Sequence, residues 1–76
     1  MRGEAATLVF KVGGMHCASC GLLIDDAVEE LAGVVTSSTD ARLGRTLVRF
    51  DPSAVAPETI VATIEEAGYQ ARQVEA

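Results

Sequence analysis

The stretch that decides the fold is residues 7–33, TLVFKVGGMHCASCGLLIDDAVEELAG. Its hydrophobic period changes once along the way. Over residues 7–12, Leu8, Phe10 and Val12 alternate with Thr7, Val9 and Lys11, the period of a β-strand, and two glycines bound the run. Farther on, Ile24, Ala27, Val28 and Leu31 fall at i, i+3, i+4 and i+7 and draw one apolar stripe down a helix expected over residues 19–32, stopped by Gly33. Between the two periods sits Gly14-Met15-His16-Cys17-Ala18-Ser19-Cys20, which holds both cysteines of the chain.

The rest of the chain repeats this grammar. Residues 34–40 read as a second strand with polar positions at Ser37, Ser38 and Thr39, residues 41–44 as a hairpin turn, and residues 45–50 as a third strand with Thr46, Val48 and Phe50 facing one way. Asp51-Pro52-Ser53 ends it. Pro57 suits the first position of a second helix, Glu58 complements its positive end, and Val55 with Ile60 can staple its start. Ile60, Thr63, Ile64 and Ala67 repeat the helical stripe up to Gly68, and residues 69–74 form a last edge strand. The order β-α-β-β-α-β predicts an α+β, ferredoxin-like fold: a four-stranded antiparallel sheet with two helices on one face. We expect residues 1–6 to be a flexible leading segment and residues 7–76 to form a single domain.

Composition excludes several functions. With 11 acids against 6 Lys and Arg, a net charge of −5 is wrong for gripping nucleic-acid phosphates. No apolar run approaches the roughly 18 residues of a membrane span, so no direct membrane insertion is expected. The leading residues carry no secretory signature, and we expect a cytoplasmic domain whose thiols stay reduced. One histidine and no evident nucleophile or acid–base pair argue against an enzyme.

That leaves the two cysteines. A disulfide across two intervening residues would close too small a loop to stabilise much. Placed after a strand and in the first turn of a helix, Cys17 and Cys20 can converge on one point, where the positive helix end favours thiolate over thiol. Thiolates select soft metals, and two of them suffice for near-linear Cu(I) or Hg(II), while structural zinc wants four ligands. Ag(I), Zn(II) and Cd(II) stay open as alternatives to Cu(I), and a thiol–disulfide oxidoreductase stays open as a reading of another class. Against redox exchange stand the short chain and the absence of tryptophan.

The string Gly14-Met15-His16-Cys17-Ala18-Ser19-Cys20, with Gly33-Val34, Phe50-Asp51-Pro52 and Ala67-Gly68-Tyr69, strongly resembles the heavy-metal-associated domain family over nearly the whole chain. Members of that family are small copper chaperones, amino-terminal domains of heavy-metal-transporting P-type ATPases, and mercury-binding modules. The resemblance implies metal binding by Cys17 and Cys20, with Met15 tucked under the loop and Tyr69 approaching from a neighbouring loop. It implies a Cu(I) chaperone or carrier whose partner is such an ATPase or its metal-binding domain, monomeric when apo and open to a metal-bridged dimer. The alternative is an ATPase's own amino-terminal domain. His16 stands at a variable position of the motif, as a third ligand or as a solvent-facing side chain. Relatives mostly carry apolar residues where this chain has Ser37 and Thr39, from which a less well packed core is expected.

Charge placement adds a docking surface. Leu22 and Leu23 precede the core stripe near the metal loop, and Asp25, Asp26 and Glu29 follow them on the same helix. Strand parity sends Lys11, Arg45, Arg49 and Arg72 to the open sheet face. The domain is therefore expected to be negative on its helices, positive on its sheet, and steered to a basic partner by its helices.

Overall fold

The computed structural model describes residues 5–15 and 19–74. Its elements follow the predicted order: β1 (Ala6–Gly13), α1 (Ser19–Glu29), β2 (Val34–Asp40), β3 (Arg45–Phe50), α2 (Pro57–Glu66) and β4 (Gln70–Val74). The four strands form one antiparallel sheet in the order β2-β3-β1-β4, so β2 and β4 are its edges. This is the ferredoxin-like arrangement.

Three boundaries differ from the reading above. Strand β1 takes in Ala6, which pairs with Phe50, so the sheet begins inside the segment expected to be flexible. Helix α1 ends at Glu29, three residues short of Ala32, because the chain tightens into the turn Leu31 N–H to Val28 C=O and reaches Gly33 at φ 99°. Tyr69 precedes β4. At Gly33 only glycine fits: besides the left-handed φ, a Cβ would stand 2.7 Å from that of Ala54.

The core collects the inward side chains of both periods. Phe10, Val12, Val48 and Phe50 from the sheet meet Ile24 and Val28 of α1, Ile60 and Ile64 of α2, and Val55, the expected staple partner of Ile60. Leu31 reaches this cluster only half-buried, and Ala67, expected on the α2 stripe, is exposed where the helix unwinds.

The expectation of a loosened core at β2 is replaced by a polar seam. Ser37 and Thr39 do face inward, in register with Val48 and Thr46. Ser37 Oγ and Thr39 Oγ1 each donate to Asp25 Oδ1 at 2.7 Å, and the Thr39 N–H donates to Asp25 Oδ2 at 3.2 Å. Because the Thr39 hydroxyl proton goes to Asp25, the 2.9 Å contact with Thr46 Oγ1 is donated by Thr46, which is fully buried. The Ser37 N–H donates to Glu29 Oε2 at 3.0 Å. Polar residues at these positions are thus hydrogen-bonded rather than orphaned, which removes the penalty of burying them.

Candidate metal centre

Every element that ends near Gly13 contributes to one end of the molecule. Strand β1 runs into it at Gly13, which pairs with Gln70 at the start of β4, and the β2–β3 turn arrives alongside, since Lys11 pairs with Arg45. The turn is fastened to β1: the Val12 N–H donates to Gly44 C=O at 2.8 Å, and a Cβ on Gly44 would stand 3.1 Å from Val12 C=O. Asp40 Oδ1 organises the same turn by accepting the N–H groups of Arg42 and Leu43.

At this end the chain leaves β1 through Gly14 at φ 92° and Met15 before α1 begins at Ser19. Met15 is half-buried and packs on the core, the plug beneath the loop that a flexible thioether suits. Tyr69 is half-buried on the same core, and a Cβ on Gly14 would lie 3.8 Å from its Cδ1, so its ring stands beside the loop. The end of α2 delivers it there: Gly68 turns at φ 104°, and the Tyr69 N–H reaches back to Ile64 C=O.

Cys20 is the second residue of α1 and is buried, 8% exposed. Cys17 and His16 lie outside the described residues, as does Ala18. The structure therefore brings Met15, Cys20 and Tyr69 to one end of the fold. Leu22 and Leu23 stand on the first turns of α1 with 68% and 59% of their surface exposed. Asp26 is exposed as well, whereas Asp25 and Glu29 hold β2.

Sequence reading missed two residues that place this helix. Gly21, next to Cys20, packs so closely on β2 that a Cβ there would lie 3.2 Å from Thr39 Cγ2. Asp25 then bonds that same threonine. The signal was present as a pair of patterns, inward-facing Ser37 and Thr39 on the strand and acids four apart, Asp25 and Glu29, flanking the apolar stripe of the helix.

Comparison with known proteins gives the following. The model of the heavy-metal-associated domain matches residues 9–70. The "Copper-transporting ATPase HMA5" of Oryza sativa subsp. japonica is 36% identical over 72 residues, 95% of this chain and 7% of its own. The "Zinc-transporting ATPase" of Synechocystis is 41% identical over 63 residues, 83% of this chain and 9% of its own. The chain spans less than a tenth of these relatives. Among solved structures, a copper-binding domain from HMA7, a P-type ATPase, superposes with a TM-score of 0.89 at 32% identity, covering 93% of this chain and 95% of that one. The CopZ metallochaperone does so at 0.85 and 27% identity, covering 88% and 100%.

Proposed function

Because the chain belongs to the heavy-metal-associated domain family, we propose that it is a cytoplasmic carrier that binds one soft metal ion, Cu(I), through Cys17 and Cys20. The observation that carries this reading is the position of Cys20 in the first turn of α1, at the end of the fold that also holds Met15 and Tyr69, within the segment that the family model matches. The copper relatives favour Cu(I), and the zinc-transporting relative keeps Zn(II) as the competitor to test.

Two thiolates leave room around Cu(I) for a third sulfur. Transfer then runs by exchange: a partner's thiolate bonds to the metal before Cys17 or Cys20 lets go, and copper stays Cu(I) throughout. No bond of an organic substrate is broken, so the domain is not an enzyme. Tyr69 shields the site from one side, and Leu22, Leu23 and Asp26 meet the partner, a heavy-metal-transporting P-type ATPase or its metal-binding domain. The high identity to ATPases of which the chain spans so little favours a second reading, the metal-binding domain of such a transporter, which would exchange metal through the same loop.

The test is an anaerobic Cu(I) titration against a competing chelator, with Zn(II) run in parallel, on the chain and on Cys17→Ser/Cys20→Ser. We expect one Cu(I) per monomer, or one shared in a metal-bridged dimer, lost in the variant. Binding that survives the double substitution would remove the two thiols from the site.

A further inference from the structure

Both helices pack on one face of the sheet, so its other face is open. Pairing register arranges the outward side chains in rows across the strands. The row nearest the metal loop is Asp40, Arg45, Lys11 and Arg72; the next is Ser38, Leu47, Val9 and Val74; the third holds Thr36, Arg49 and Thr7. Lys11 therefore stands directly between Arg45 and Arg72, and like charges on directly paired positions destabilise a sheet. Asp40, at the end of that row, has its Oδ1 engaged by the N–H groups of Arg42 and Leu43. Stability does not account for such a row. Beside it the apolar row is partly open, with Leu47 47% exposed. Between β1 and β4 a shallow cleft of about 220 Å³ is lined by Lys11, Gln70 and Arg72.

The complementary surface is on the back of the same molecule. Asp26 on α1, Glu30 just past its end, and Glu58, Glu65 and Glu66 on α2 are exposed. A groove of about 410 Å³ between the helices is walled by Glu30 and Glu66 over the apolar Ala27, Leu31 and Ala67.

We propose that the open sheet face docks the helix face of a second copy of this chain, head to tail, with the two metal loops at the same end. Helix α2 finishes at the loop end, so in this orientation the Arg45-Lys11-Arg72 row meets Glu65 and Glu66. Arg49 lies four residues farther along β3, roughly 13 Å at strand rise. Glu58 lies seven residues back along α2, about 10 Å at helix rise, so the second charge contact falls in place with the first. Leu47 and Val9 then face the groove between the helices. The two contacting surfaces differ, so the contact repeats from copy to copy and sets neighbouring loops side by side. This departs from the monomeric apo domain expected above.

Sedimentation velocity of the apo, fully reduced chain tests it. At about 10 mM salt the weight-average sedimentation coefficient should rise with protein concentration. At about 1 M salt, where the screening length falls from about 30 Å to about 3 Å, it should return to the monomer value. Lys11→Gln/Arg72→Gln and Glu65→Gln/Glu66→Gln, all exposed positions, should each lose the rise. An equimolar mixture of the two should regain one step of it and stop at a heterodimer, because only one intact pair of faces remains. A monomer at every salt and concentration, or association kept by both variants, would overturn the proposal. So would a monomeric chain that instead sediments with phosphatidylserine vesicles through Lys11 and Arg72, which would give the face to a membrane.

Discussion

The two edges of the sheet are covered by helices in different ways. At the β2 edge, the N–H groups of Ser37 and Thr39 point away from β3 and end on the carboxylates of Glu29 and Asp25, and the two hydroxyls join them at 2.7 Å. Helix α1 thereby caps donors that an exposed edge would offer to another strand. At the β4 edge, α2 presents Ile60 and Ile64, both fully buried, with Val61, Tyr69 and Ala71 packed around them. Thr63 of that helix turns its hydroxyl back to Thr59 C=O. One topology thus adds directional bonds to the buried Ile24 and Val28 on the side that carries Cys20 and relies on apolar area on the other. Area holds a helix against a sheet, whereas hydrogen bonds to named atoms also fix its rotation and its slide.

If that contrast is right, the largest loss of stability comes from the apolar side. Ile64→Ala empties a fully buried site and should cost about 3 kcal/mol, within the range for such truncations, read from urea unfolding. Asp25→Ala should cost less, about 2 kcal/mol, because the donors it abandons, from buried Ser37 and half-buried Thr39, lie at the sheet edge and can turn partly to water. A double-mutant cycle of Asp25→Ala with Thr39→Val should return a coupling of about 1 kcal/mol, and the Thr39 amide should exchange faster in Asp25→Ala. An aspartate loss as large as that of Ile64, with no coupling to Thr39, would mean that the seam is not what positions α1.

How much of this was legible follows from range. The strands and helices were readable because their periods are local: Leu8, Phe10 and Val12 for β1, and Ile24 and Val28 for α1, declare their faces without a partner. The loop was readable too, since Met15 and the two cysteines lie between a strand period and a helix period. Ser37 and Thr39 were read as a defect in packing because their partner sits 12 to 14 residues away on another element. Asp25 was read as a surface charge for the same reason. The crowded cation row needed register: parity placed Lys11, Arg45 and Arg72 on one face, but only the pairing of β1 with β3 and β4 lines them up. The short end of α1 was set by the turn at residues 28–34, which competes with the helical stripe.

The smallest effect compares two carboxylates that each accept a serine hydroxyl at 2.7 Å, Asp25 from Ser37 and Asp51 from Ser53. Asp51 also accepts the Ser53 N–H at 3.0 Å, and the side-chain bond first, then the backbone bond, hold its carboxyl below the usual 3.8. A carboxylate with a folded pKa below its unfolded one stabilises the fold above the unfolded pKa, and the contribution fades as pH falls through the lower folded value. Asp51→Asn keeps an acceptor and removes the charge. Its stability should fall slightly short of the parent at neutral pH, and the two should converge in acid well below 3.8. The difference stays small because residues two apart meet readily in the unfolded chain and water competes for both, whereas Asp25 meets Ser37 only when α1 has docked on β2. Unfolding of both proteins across that pH range decides the matter. A gap that widens in acid would mean that the Asp51 charge opposes the fold, and that its bonds from Ser53 give the turn no net stability.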